Sequence, residues 1–514
     1  MTTDITEDLR VLVSESFDAS AFSDELSAVD QLLHRGEANP RTRSGIMAVE
    51  LLDATPDWER YRTTYENASR RVPRLRQKVV MPTLPTANAR WVIDPDFDLD
   101  FHVRRVRAPE PGGIRQVFDI AEVIQQSPLD ITRPLWSATL IEGLEGGRAA
   151  QILHLSHAVA DGVGMVAMFT EIYDLEPDAP PRPAAPLPIP QDLSPNDLMR
   201  SGLNALPGSI VGGVRGALFG ALGVVGKAIT HPGSVVSGAL DYAGSSRRIV
   251  RQAAPPSPLL RRRSLSTRTE AIEIPLADLH RVAKTAGGSI NDAYLAGLCG
   301  ALRRYHEALG VPVPTLPMAV PVNLRADSDP AGGNRFAGVN IAAPIGTVDA
   351  AARMHKIRAQ MTQRREEAAL DVLGVVAPVL SLLPDPVLES MTGAVIASDV
   401  QASNVPVYPG DSFIAGTKVL RQFGIGPLPG VAMMVVLVSR GGYCTISARY
   451  DRAAITDEAL FARCFAAGFD EVLALAGDPD LRVTPVSFAA PDTGTDNGGG
   501  DAEPTDPSSN GSAV

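Results

Sequence analysis

One run of the chain concentrates residues able to do acid–base chemistry: Gln151-Ile-Leu-His-Leu-Ser-His-Ala-Val-Ala-Asp-Gly-Val-Gly-Met165. Its opening reads as a strand, and the Asp-Gly pair marks a turn before a helix. His157 therefore falls where a strand ends, with Asp161 and Gly162 following across the turn. An unperturbed imidazole, with a pKa of ~6.5, is mostly neutral near pH 7 and takes a proton from a hydroxyl. Asp161 has the reach to pair with an arginine or to cap the next helix, and Gly162 permits close backbone approach. Taken alone, His-x-x-x-Asp-Gly more often describes a buried histidine satisfied by its own turn.

The elements around this run alternate in type. Ile46–Leu52 reads as a strand, 57–71 as a helix and 101–106 as a further strand, which makes the first part mixed α/β. Eight prolines between Pro177 and Pro195, with little apolar periodicity, predict a stiff extended linker and a domain boundary. Residues 203–230 place Val211, Val214, Leu218, Leu222 and Val225 on one helical face and glycines on the other. Such a face suits packing on its own domain and suits a lipid surface equally well. Seven arginines and no acid occur from Arg247 to Arg268, a pattern that fits a solvated linker or a contact for anionic headgroups or a phosphorylated ligand.

The pattern then restarts with a strand at 271–274, a helix from Leu276, and a helix Ile290–Ala308 capped by Ser289. A strand at 316–324 follows, and Gly441-Gly442 predicts a hairpin between 431–439 and 443–450. A helix from Asp457 to about 475 closes the folded part. Residues 491–514 hold five acids, no base and much Gly, Ser and Pro, the composition of a disordered tail.

Composition excludes several classes. A chain of 514 residues with 45% apolar and 21% charged residues has the makings of more than one packed unit and is not disordered throughout. Its 47 basic against 59 acidic residues, a net charge of -12, argue against nucleic-acid binding by bulk charge, so any anion site must be local. Cys299, Cys444 and Cys464 are widely spaced and form no C-x-x-C pair, which fits buried thiols in a reducing compartment and no structural metal. The acidic first 20 residues lack the apolar core of a secretory signal, and Pro207, Arg215 and Lys227 interrupt the only long apolar stretch, so no transmembrane segment is expected.

The stretch from Ser156 to Gly162 resembles the His-His-x-x-x-Asp-Gly motif of the bifunctional wax ester synthase/diacylglycerol acyltransferase family. That family belongs to the acyl-CoA-dependent superfamily of chloramphenicol acetyltransferase and the condensation domains of peptide synthetases. The resemblance spans residues 20–480. Leu26-Ser-Ala-Val-Asp-Gln31 is similar to the family's opening, Arg133-Pro-Leu-Trp136 to its Pro-Leu-Trp motif, and Ser289-Ile-Asn-Asp292 to its Asn-Asp helix start. Val320-Pro-Val-Asn-Leu-Arg325, Gly333-Asn-Arg335 and Ala402-Ser-Asn-Val-Pro406 match later motifs in order. One position departs: Ser156 stands where the family's first histidine is, on the opposite side of the strand from His157.

The resemblance implies an α/β fold of two chloramphenicol-acetyltransferase-like subdomains with mixed sheets and an active-site tunnel at their interface. The subdomains would span 1–175 and 269–490, joined by the crossover 176–268 and followed by the tail 491–514. It implies His157 as general base and Asp161 as its organiser, with Ser156, Gly162, Trp136, Asn291, Ser403 and Asn404 around the substrates. The reaction implied is transfer from long-chain acyl-CoA, a co-substrate, to diacylglycerol, with no cofactor or metal. A fatty alcohol acceptor is the alternative within enzymes, and a lipid-binding homologue without turnover is the alternative outside them, motivated by Ser156. Such substrates place the protein in the cytoplasm, held peripherally at the inner face of the plasma membrane or at lipid inclusions.

Overall fold

The computed structural model describes residues 23–83, 87–159, 168–180, 182–205, 253–323, 336–367, 398–408 and 410–487, with 377, 381 and 385. Asp161 and Gly162 lie outside the described residues, as do 324–335, most of 203–230, Arg247, Arg248, Arg251 and the 491–514 tail.

The first half runs α1 (Ala28–Gly36), β1 (Ile46–Leu52), α2 (Trp58–Arg71), β2 (Gln77–Val80), β3 (Arg90–Ile93), α3 (Leu99–His102), β4 (Val103–Arg107), α4 (Ile114–Gln126), β5 (Trp136–Glu142) and β6 (Ala149–Leu155). After α5 (Pro195–Ala205) come β7 (Thr267–Pro275), α6 (Leu276–Thr285), α7 (Ile290–Ala308), β8 (Leu316–Asn323), β9 (Phe336–Ala343) and α8 (Ala350–Glu367). The last elements are β10 (Val400–Pro406), β11 (Phe413–Ile414), β12 (Thr417–Ile425), β13 (Met433–Arg440), β14 (Tyr443–Asp451), α9 (Glu458–Leu473) and β15 (Thr484–Pro485).

Capping explains most helix starts. Asp57 accepts from Arg60 N and starts α2, while Ser289 and Asp292 form the reciprocal capping box of α7. The strand expected at 101–106 begins later, because Asp98 caps a short helix, Leu99–His102, before the chain extends. The hairpin at Gly441-Gly442 forms with both glycines at positive φ, 55° and 80°, the twist that lets β13 and β14 pair in continuous register.

Two mixed sheets result. One has the order β11-β12-β1-β6-β5-β4 and the other β15-β7-β14-β13-β10-β8-β9. The sheets do not divide the chain in two: β11 and β12, from the second half, enter the first sheet, with β12 antiparallel to β1. Phe423 and Ile425 of β12 and Ala271 of β7 thereby complete a core with Met47, Val49 and Phe118. A second core, built on α7 and α9, fills the far side of the second sheet. There the helices approach so closely that a Cβ on Gly468 would lie 2.2 Å from Ala301 N.

The proline-rich stretch is extended, as its composition implies, and is strapped along α2. Arg71 donates to Pro183 O at 2.6 Å and Arg70 to Ala185 O at 3.2 Å. Between the halves, Arg440 of β13 donates to Glu50 Oε1 of β1 at 3.0 Å, both side chains fully enclosed. Glu50 also accepts from Tyr173 at 2.7 Å and from Gln151 at 2.9 Å. No described helix is long and apolar enough to cross a membrane.

Candidate active site

β6 is a central strand, antiparallel to β1 and to β5, with Ile46 and Trp136 both opposite Leu155. Ser156 N then donates to Leu135 O at 3.0 Å, and Val159 N turns back to Ser156 O at 3.0 Å. That turn ends the strand and puts His157 at its first position, on a scaffold bonded along both edges.

Ser156 is fully buried. Its Oγ donates to Glu37 Oε1 at 2.9 Å, and the same carboxylate oxygen accepts from Ser44 Oγ at 2.9 Å. Ser156 Oγ in turn accepts from Ala158 N at 3.3 Å, so this one hydroxyl ties the backbone just past His157 to Glu37. Glu37 is held in the loop after α1, its N donating to His34 O at 3.2 Å and its O accepting from Arg43 Nε at 3.1 Å. Burial pushes the Glu37 carboxyl above the usual range, and the bonds from Ser156 and Ser44 oppose that push.

The His157 ring is half-buried, and burial lowers its pKa from the ordinary value. The ring is therefore neutral at pH 7, the form a general base needs. Three other buried histidines of the first half, His34, His102 and His154, are pushed down to about 4. Their settings differ from that of His157. His102 is wholly buried with Nδ1 on Trp136 O at 2.8 Å, while His154 is on β6 beside Gly45, where a Cβ would lie 2.8 Å from its Nε2.

Trp136 opens β5 and is packed on all sides. Its Nε1 donates to Leu75 O at 2.8 Å, and its ring stacks on His102 at 4.7 Å and Tyr65 at 5.8 Å between centroids. It thus supports the strand beside β6. Asn291 is half-buried in the first turn of α7, next to Asp292 of the capping box. Ser403 and Asn404 are on β10, opposite Val436 and Leu437 of β13, with Ser403 half-buried and Asn404 exposed. Ser156 and His157 thus come from the first sheet, and Asn291, Ser403 and Asn404 from the helix and strand that face the second core. Among the described residues no group of three or more His, Cys, Asp or Glu is arranged to hold a metal ion.

Reading the sequence alone missed Glu37, Ser44 and Arg43. Gly36-Glu-Ala-Asn-Pro40 carries no motif, and the only available signal was indirect: a serine in place of a histidine needs some other group to satisfy it.

Comparison with known proteins agrees with this architecture. Residues 17–294 match the wax ester synthase/diacylglycerol acyltransferase catalytic domain, and residues 332–472 match the C-terminal domain of the same family. A candidate diacylglycerol O-acyltransferase of Mycobacterium tuberculosis is 70% identical over 476 residues, covering 93% of this chain and 97% of its own. A second chain from that organism, with the same description, is 30% identical over 88% of this chain and 97% of its own. Among solved structures, the wax ester synthase/diacylglycerol acyltransferase of Marinobacter aquaeolei superposes with a TM-score of 0.63 at 19% identity, over 88% of this chain and all of that one. The first condensation domain of the calcium-dependent antibiotic synthetase superposes with a TM-score of 0.54 at 15% identity, over 91% of this chain and 98% of that one. These two likenesses establish the fold, two chloramphenicol-acetyltransferase-like halves built on mixed sheets. The chain belongs to the wax ester synthase/diacylglycerol acyltransferase family of acyltransferases.

Proposed function

We propose that the protein transfers a long-chain acyl group from acyl-CoA to the free hydroxyl of diacylglycerol, with His157 as general base. The observation that carries this reading is the placement of His157, at the first position of the turn that ends a central strand, with its ring kept neutral by burial. The 70% identical relative, itself a candidate diacylglycerol O-acyltransferase, supports the choice of acceptor.

In the reaction His157 takes the hydroxyl proton as the acceptor oxygen attacks the thioester carbonyl. The tetrahedral oxyanion collapses, the C–S bond breaks, and the imidazolium returns its proton to the departing thiolate. No acyl-enzyme forms and no bound cofactor is needed. Asp161 organises the turn, Gly162, Asn291, Ser403 and Asn404 shape or approach the substrate channel, and Trp136 supports the strand beside β6. Ser156 acts through the backbone, holding Ala158 N against Glu37.

Diacylglycerol resides in membranes and lipid inclusions, so the reading includes peripheral attachment through an apolar face and basic residues. The experiment is thiol release from a panel of acyl-CoAs, with and without acceptor. Free CoA should appear with diacylglycerol and not in its absence. Release that depends on a fatty alcohol alone would make the protein a wax ester synthase, and release with no acceptor at all would overturn acyl transfer to an alcohol.

A further inference from the structure

A cleft of about 480 Å³ opens between the two halves of the molecule, on the Ser156 side of β6. Five arginines line it: Arg41 and Arg43 from the loop before β1, Arg261 and Arg263 from the segment before β7, and Arg449 from β14. In a chain of net charge -12 this is a strong local reversal of sign.

None of the five pairs with a described carboxylate within ion-pair distance. Arg43 donates to Glu37 O and to Gln126 O, and Arg263 to Leu260 O, Arg262 O and Gly430 O. Arg449 donates to Gly426 O and Thr267 Oγ1, both at 3.2 Å. Its side chain is only 6% exposed, and its Nε has no hydrogen-bond partner. The guanidinium groups of Arg41 and Arg261 bond to no described residue and are exposed at the mouth. Two carboxylates line the cleft as well, Glu37 engaged through Oε1 and Asp451 through both oxygens. Glu37 accepts from two serines, and Asp451 from Ser264 N, Ser264 Oγ and Ala453 N. Burial lowers the Arg449 pKa to about 10, which still leaves it cationic at pH 7.

Glu37, Glu122 and Asp451 act on Arg43, Arg449 and Arg263 through space without a direct ion pair, so an anion in the cleft would further offset the desolvation of these cations. Guanidinium forks match phosphate oxygens in geometry as well as charge. We infer that this cleft binds a phosphate-bearing ligand, with Arg449 and Arg43 at its floor and Arg41 and Arg261 at its mouth. The cleft wall includes Glu37, whose carboxylate holds Ser156, so an anion bound there adjoins the network behind His157.

Phosphate chemistry has two sources here, the phosphates of the acyl-CoA donor and a free phosphate. The first rests on the function proposed above and the second does not. The test is calorimetric titration of the full chain with pyrophosphate, CoA and dephospho-CoA, beside Arg41→Gln and Arg261→Gln, two variants that remove no described contact. Wild type should bind pyrophosphate with an affinity that falls as salt rises, and each variant should bind about three- to tenfold more weakly, the range of one ordinary hydrogen bond at a solvent-exposed mouth. If the donor is the source, CoA should also bind more tightly than dephospho-CoA, and the KM for acyl-CoA should rise in both variants. If a free phosphate is the source, pyrophosphate binding should weaken in the variants while that KM stays level. Wild-type affinity for all three probes in both variants would overturn the inference, even in a fully active acyltransferase. Loss of acyl transfer to every acceptor, with pyrophosphate binding intact, would overturn the proposed function and leave the cleft standing.

Discussion

Ser156→Ala isolates the link between the buried Glu37 network and the His157 turn. The change removes the 2.9 Å bond to Glu37 Oε1 and leaves Ala158 N without its 3.3 Å acceptor, in a site closed to water. A bond to a charged acceptor contributes ~1.5–3 kcal/mol and an orphaned buried amide costs ~1 kcal/mol, so the loss should be about 2–4 kcal/mol. For a folding unit of a few hundred residues that is a Tm drop of roughly 5–15 °C. The pH dependence carries further information. Burial already raises the Glu37 pKa, and the Ser156 bond is the leading influence opposing it. A carboxyl whose folded pKa is raised loses stability as pH rises through that value, so Ser156→Ala should be hurt more at alkaline than at acidic pH. Glu37→Gln keeps an acceptor for both serines but removes the charge, and should reverse the trend by gaining stability relative to wild type as pH rises. Thermal unfolding between pH 5 and 8.5 measures both, and acyl-CoA turnover should show a lower kcat for Ser156→Ala with little change in KM. An unchanged Tm together with an unchanged kcat would refute the claim that this hydroxyl supports the catalytic turn.

Three further outcomes follow from other sites. Because burial lowers the His157 pKa, kcat should be level above pH 7 and fall only below the ordinary histidine value near 6.5; a half-maximal point above 7 would contradict a neutral buried base. Arg440→Met strands Glu50 as a buried carboxylate and should cost ~3–5 kcal/mol, much of it recovered in the Glu50→Gln/Arg440→Met double variant; equal melting of all three proteins would show that the pair does not join the halves. Gly468→Ala forces a methyl into contact with Ala301 N and should cost at least ~1–3 kcal/mol in thermal unfolding, whereas a wild-type Tm would mean that α7 and α9 are not in close contact.

Much of the fold was legible because its signals are local. The cap at Ser289 and the hairpin glycines act within a few residues, and the helix and hairpin formed where those rules put them. The late start of β4 followed from a cap at Asp98 that competes locally with the strand preference of Phe101. What could not be read were long-range placements. Nothing near Phe413–Ile425 signals that these residues cross to the first sheet, because a strand's partner is set by the whole topology. Trp136 reads from its motif as a channel residue, yet its indole N–H and both ring faces are engaged by Leu75, His102 and Tyr65. Likewise Glu37 meets Ser156 across 119 positions of sequence, and the arginine cleft draws its residues from both halves. The run of arginines before β7 showed that charge was concentrated there, but only the fold shows that Arg41, Arg43 and Arg449 join it.

The central claim, that His157 is the base for hydroxyl attack, is tested most directly by thiol release from His157→Ala and His157→Gln under saturating acyl-CoA and diacylglycerol. Loss of a positioned general base should lower kcat by ~100- to 10,000-fold, while circular dichroism, Tm and acyl-CoA binding stay close to wild type. A folded His157→Ala protein that releases CoA within a few-fold of the wild-type rate would show that some other group accepts the proton.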